Sequence, residues 1–191
     1  MNAKLPYYTS IYNNLTELPS EIFNMRLLQE LDLKGNHIKH ISPEISKLIN
    51  LRYLRLDGNK IENLPNSFSK LINLEELSLE RNCLSSIPTA IFELPNLLHL
   101  TLTSNSINLF PDKSIEFKLA KLKTLDLINN KLIKIPSWIS RFNNLEELLL
   151  DDNLLEEIPD CICQLTKLKC ISLYDNPIVY YPSCISSIIE I

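Results

Sequence analysis

A 23-residue period runs the length of this chain. Asparagine recurs at Asn13, Asn36, Asn59, Asn82, Asn105, Asn130, Asn153 and Asn176, and the step is 23 residues except for one of 25 between Asn105 and Asn130. Eight units begin on a leucine, at Leu5, Leu28, Leu51, Leu74, Leu97, Leu122, Leu145 and Leu168. A unit this short cannot bury its own apolar face, so neighbouring units must stack.

Counting from that leucine as position 1, position 4 reads Tyr8, Leu31, Leu54, Leu77, Leu100, Leu125, Leu148 and Ile171. Position 6 is Ser10 followed by seven leucines, Leu33 to Leu173, and position 11 is always Leu or Ile. Apolar residues at 4 and 6 alternate as in a short strand with one buried face. Position 15 is proline in seven of the eight units, and in the remaining one Ser42-Pro43 shifts it by a residue. Proline has no amide hydrogen to donate, so the strand cannot run through it. Apolar residues at 18 and 21, such as Ile45 and Leu48, suit a single helical turn. Each unit therefore reads as a strand, a turn and a short helical or 3₁₀ return. Parallel strands about 4.8 Å apart should line the inside of a curved stack, because the returns need more room. An asparagine at position 9, where the chain leaves the strand, can donate to and accept from backbone groups of adjacent coils.

The pattern Leu-x-x-Leu-x-Leu-x-x-Asn-x-Leu/Ile-x-x-Leu/Ile-Pro-x-x-Ile-x-x-Leu resembles a leucine-rich repeat. It is carried by segments such as Leu51-Arg52-Tyr53-Leu54-Arg55-Leu56-Asp57-Gly58-Asn59 and Leu64-Pro65-Asn66-Ser67-Phe68, and the match runs from residue 5 to 190. The 23-residue period with Leu-Pro or Ile-Pro resembles the intracellular Ras-group subfamily, which includes Ras-binding scaffolds and scribble- and erbin-like polarity proteins. The resemblance implies an α/β solenoid, a right-handed superhelix of eight repeats forming one domain over 1–191. It also implies a non-enzymatic scaffold or adapter in cytoplasmic signalling, with a small GTPase or a phosphatase as partner. Two other readings stand beside it: a regulatory segment of a larger enzyme whose phosphatase, kinase or GTPase domain lies outside this chain, and a secreted or surface recognition module.

Positions 3, 5 and 7 point away from the core. On this concave strip, taken with the flanking positions 2 and 8, acids outnumber bases two to one, so the net charge of −4 belongs to one surface. A basic protein partner follows, since complementary fields steer association. The candidate partner-binding residues are Tyr53, Arg55, Asp57, Glu76, Glu80, His99, Ile128, Glu147, Leu149, Asp151 and Tyr174. Apolar or aromatic anchors ringed by charge are where binding energy concentrates. Arg55 is expected to pair with Asp32 and Asp57, and Lys34 with Asp57.

Other chemistry is weak in this sequence. The mild acidity argues against nucleic acid and against an electrostatic membrane anchor, and no apolar run is long enough to span a bilayer. With Gly35 and Gly58 as the only glycines, a glycine-rich phosphate loop is excluded. His37 and His40 lack further ligands for zinc, and adjacent acids such as Glu146 and Glu147 do not form a general acid/base pair. No cofactor or metal is expected.

The N-terminal residues carry no apolar leader, which makes reduced thiols in the cytosol the expected state of the five cysteines. Cys161 and Cys184 share position 17 and should stack. A disulfide or zinc site among Cys161, Cys163, Cys170 and Cys184 stays open beside the preferred reading, small buried apolar side chains. The two extra residues near Asp112-Lys113-Ser114 should bulge the convex side and leave the strand intact. The C-terminal run Ile185-Ser186-Ser187-Ile188-Ile189-Glu190-Ile191 lacks a polar cap, which points first to a longer protein and otherwise to an end that packs on a partner or a second copy.

Overall fold

The computed structural model describes residues 6–112 and 117–190. Nine short strands form one parallel sheet in chain order: β1 (Tyr7–Thr9), β2 (Glu30–Asp32), β3 (Tyr53–Arg55), β4 (Glu76–Ser78), β5 (His99–Thr101), β6 (Thr124–Asp126), β7 (Glu147–Leu149), β8 (Cys170–Ser172) and β9 (Ile189–Glu190). Pairing sets position 4 on position 4, as in Leu31↔Leu54 and Leu54↔Leu77. The sequence period is thus a structural translation, and the leucine columns at positions 1, 4, 6 and 11 make one continuous core. This is the solenoid that the repeat pattern predicts. The first leucine, Leu5, and the Lys113-Ser114 part of the expected bulge lie outside the described residues. The strand after that insertion keeps its register, Leu100↔Leu125.

Every coil leaves its strand through a residue of positive φ at position 8. Gly35 and Gly58 fill it twice; Tyr12, Arg81, Ser104, Asn129, Asp152 and Asp175 fill it elsewhere, at φ 51–56°. At Gly35 the missing side chain has a further use: a Cβ there would lie 2.3 Å from Cδ1 of the Tyr12 ring, which rests over this backbone.

Prolines at position 15 immediately precede 3₁₀ segments η1 (Ser20–Asn24), η3 (Asn66–Lys70), η4 (Thr89–Glu93), η5 (Ser137–Arg141), η6 (Asp160–Gln164) and η7 (Ser183–Ile185). In the second repeat the shifted proline begins η2 (Pro43–Lys47), and Ser42 accepts from the Glu44 amide as an N-cap. Among the described residues, no such segment stands between β5 and β6. Aromatic rings from this stretch and its neighbours pack together. Phe92 of η4 meets Trp138 of η5 edge-on with centroids 5.6 Å apart, Phe110 meets Trp138 at 5.6 Å, and Phe117 meets Phe142 at 5.0 Å.

The position-9 asparagines form the expected column. Asn59 is representative: its Oδ1 accepts from Ile38 N at 3.0 Å, and its Nδ2 donates to Leu33 O at 3.0 Å and Leu56 O at 2.9 Å. The same bonds recur at Asn36, Asn82, Asn105, Asn130, Asn153 and Asn176. Asn13, in the first described coil, bonds to Ser10 Oγ instead.

One expectation is extended and one needs correction. The eight expected repeats are present, and after a shortened return a two-residue ninth strand, β9, pairs with β8. Ile188 and Ile189 pack against the core, and Ile171 N donates to Ile188 O at 3.0 Å, so the apolar C-terminal run is partly structural. The cysteines are not all reduced thiols or buried apolar fillers. Cys163 and Cys184 are exposed, with Cα atoms 5.8 Å apart, and form a disulfide between η6 and η7, leaving Cys83, Cys161 and Cys170 free. The register pairs Cys184 with Cys161, but the exposed side of the 3₁₀ turn presents Cys163 to the next coil, while Cys161 turns toward the core, where burial raises its thiol pKa.

Candidate functional site

The regular backbone places the odd positions of each coil on one open strand face. In-register pairing lines up Tyr53, Glu76, His99, Thr124, Glu147 and Cys170 as one row. The sequence-assigned residues fall into two groups along it. Tyr53, Arg55, Asp57, Glu76, Glu80 and His99 lie on and just beyond β3–β5. Ile128, Glu147, Leu149, Asp151 and Tyr174 lie over β6–β8.

In the first group Arg52 grips Glu75 through Nε at 2.9 Å and Nη2 at 2.8 Å, and its guanidinium carbon lies 5.5 Å from the Tyr53 ring centroid. That bidentate bond and the Glu75 charge raise the Arg52 pKa. Arg55 takes Glu30 as its main partner, Nη1 to Oε1 at 2.8 Å, with Asp32 farther at 4.0 Å. The sequence reading missed Glu30, although it occupies position 3 of the preceding strand. Asp57 is buried. Its Oδ1 accepts from the Ser78 hydroxyl and from Glu80 N at 3.0 Å, while Oδ2 faces Lys34 at 3.8 Å. Asp57 therefore joins neighbouring coils and offers a partner little free surface.

Asp151 repeats that role in the second group, accepting from the Ser172 hydroxyl and from Tyr174 N at 2.7 Å. His99 Nδ1 lies 3.1 Å from Thr124 Oγ1, which donates to Glu147 Oε2 at 3.1 Å. The hydroxyl has one proton and gives it to the carboxylate, so His99 must donate from Nδ1. Thr124 thereby couples His99 to Glu147, a link invisible without the register. Ile128 and Leu149 are half-buried, and Tyr174 is 51% exposed.

The face encloses little. Its depression between Tyr53, Arg55, Glu76, Ser78, His99 and Thr101 holds about 60 Å³, well below the ~300 Å³ or more of a small-molecule pocket. Among the described residues, no group of three or more His, Cys, Asp or Glu side chains gathers to hold a metal. No helix among them is long and apolar enough to cross a membrane. This geometry suits recognition of another surface.

A second asparagine column runs along the edge where the chain enters the strands. Asn50, Asn73, Asn96 and Asn144 donate to the backbone oxygens of Arg26, Ile49, Ile72 and Ala120 at 2.5–2.8 Å. It was legible in retrospect, as an asparagine immediately before the first leucine of four repeats.

Family profiles described as leucine rich repeat match residues 12–61, 49–107, 121–142 and 144–165. A search of curated proteins finds no match. Among solved structures, a leucine-rich repeat protein of Leptospira interrogans is 37% identical with a TM-score of 0.82, over 91% of this chain and 44% of that one. The plant peptide hormone receptor RGFR1, in complex with RGF2, is 31% identical with a TM-score of 0.73, over 84% of this chain and 26% of that one. This chain thus spans less than half the length of either. The periodic core, the asparagine column and the profile matches together place the chain in the leucine-rich repeat family.

Proposed function

We propose that this chain is a non-enzymatic, protein-binding scaffold whose strand face, from β3 to β8, holds a partner protein. The observation that carries this reading is an open face on which Tyr53, Ile128, Leu149 and Tyr174 stand among charged side chains with no recess deep enough for a small substrate. The acids Glu76, Glu80, Glu147, Asp152 and Asp175 give the face its negative sign, which favours a basic partner surface. A receptor of the same family in complex with RGF2 supports a protein or peptide as the bound species. The Ras-group resemblance makes a small GTPase or a phosphatase the first partner to test and the cytoplasm the compartment. The same face would serve if this chain regulates an enzyme domain in a longer protein.

The test is affinity capture with the wild type against Tyr53→Ala/Arg55→Glu/Glu76→Lys. Partners held by the wild type should bind the triple variant at least about tenfold more weakly, as expected when central anchors are removed. Stability should change by only about 0.5 kcal/mol per surface substitution. Recovery of the same proteins at the same yield from both would end the assignment.

One observation favours a second reading, recognition outside the cytoplasm: the Cys163–Cys184 bond, since such links persist in oxidising compartments. Thiols blocked at lysis and counted in denaturant decide between the readings. The cytoplasmic reading expects all five cysteines to react; the second expects the three free ones, Cys83, Cys161 and Cys170.

A further inference from the structure

The entry edge of the sheet changes character after β5. The residue just before the repeat leucine is Asn50, Asn73 and Asn96 in the third to fifth repeats, then Lys121, Asn144 and Lys167; the residue just after it becomes Lys123, Glu146 and Lys169. Parallel in-register pairing of β6, β7 and β8 makes these six a grid. Lysines hold its four corners, and one amide and one carboxylate hold its middle.

The lysines are positioned, not loose. Lys121 Nζ donates to Asn96 Oδ1 at 2.7 Å and Lys167 Nζ to Asn144 Oδ1 at 2.5 Å, so the asparagine column anchors one row. In the other row Lys169 is ion-paired with Glu146, and Lys123 lies 3.8 Å from the same carboxylate. The bond from Lys169 and the charges of Lys169, Lys123 and Lys167 hold the Glu146 carboxyl below its ordinary range. One acid thus sits among four cations, leaving local positive charge on a chain whose net charge is −4. Lys121, Lys123, Lys167, Asn144, Glu146 and the half-buried Leu98 line a recess of about 340 Å³.

We propose that this recess is a second docking site, separate from the strand face, for an acidic protein segment running along the stack. Lysines two coils apart are separated by about 10 Å at the usual interstrand spacing, and an extended peptide rises about 3.3 Å per residue. The matching segment carries carboxylates three residues apart, with an apolar or small residue over Leu98. The patch is short and bounded. Toward the N-terminus it gives way to Leu98, Asn96 and Glu75, and toward the face to the exposed Glu147. A nucleic acid, with evenly repeated phosphates, would lay charge against those acids, whereas a short acidic segment fits between them.

The test is fluorescence anisotropy with the full chain at about 50 mM salt, where screening is modest. The probe is a short labelled peptide with glutamate at every third position among glycine and serine, and the control peptide carries glutamine instead. The glutamate peptide should bind at least about tenfold more tightly. Lys121→Glu/Lys167→Glu should abolish that advantage, whereas Lys39→Glu/Lys131→Glu, an equal charge change on exposed lysines beyond the opposite end of the strands, should alter affinity less than about twofold. Glu146→Gln should tighten binding. Equal losses in both double variants, equal affinity for both peptides, weaker binding by Glu146→Gln, or tighter binding of oligothymidylate or phosphatidylserine vesicles would each overturn the proposal. Circular dichroism melts check that every variant is folded.

Discussion

Replacing Asn59 with leucine should cost about 3–5 kcal/mol, measured as the loss in denaturant-unfolding free energy. The substitution keeps the side chain's bulk and removes all of its polar bonds. Ile38 N then loses its acceptor, and Leu33 O and Leu56 O lose a donor. The site is buried in the stack, so water does not replace the missing partners, and each abandoned group costs about 1–3 kcal/mol. Asn13 is the internal control. It is exposed and bonds only to Ser10 Oγ and Ile11 O, so Asn13→Leu should change stability by no more than about 0.5 kcal/mol. Equal effects at the two positions would mean that the column is decoration.

Phe142→Ala should be comparably severe, at about 3–5 kcal/mol. Phe142 is 1% exposed and lies with ring centroids 5.0 Å from Phe117 and 6.1 Å from Trp138. These rings pack against one another, so removing Phe142 leaves a cavity lined by Phe117 and Trp138. Phe142→Leu keeps most of the volume and should recover more than half of the loss, a comparison that separates cavity formation from a specific ring–ring requirement. Arg141 lies with its guanidinium carbon 4.2 Å from the Phe117 centroid, so the cluster is also roofed by a cation. A Phe142→Ala loss below about 1 kcal/mol would mean that the cluster is loosely packed.

The repeat core was legible because burial repeats. Leu54, Leu77 and Leu100 occupy identical environments, and identical environments leave identical letters in the sequence. The position-8 turn was not legible, because Tyr12, Arg81, Ser104, Asn129, Asp152 and Asp175 meet one backbone demand with unlike side chains, and φ leaves no mark unless glycine is chosen. The ninth strand was hidden by the shortened return before it, which breaks the 23-residue period. The Cys163–Cys184 bond was hidden because sequence alignment stacks Cys184 on Cys161, while facing directions on a 3₁₀ turn decide the pairing. On the strand face, the rows were legible from alternation. Asp57 and Asp151 illustrate what alternation cannot tell: they occupy outward positions, yet their Oδ1 atoms are committed to Ser78 and Ser172 of the next coils.

Among the described residues, substantial contacts between elements run from each coil to the next; the 3₁₀ segments stack η2 on η3, η3 on η4 and η5 on η6, and η4 meets η5 through the edge-on Phe92–Trp138 ring pair. An edge-on ring pair joins its partners edge to face, whereas the β5 and β6 strands beneath it are joined by a parallel hydrogen-bonded ladder. The same β5–β6 pair is where the Tyr53–His99 half of the face joins the Glu147–Tyr174 half, so the strand ladder on the inner side and the ring seam on the outer side together fix how the two halves are held.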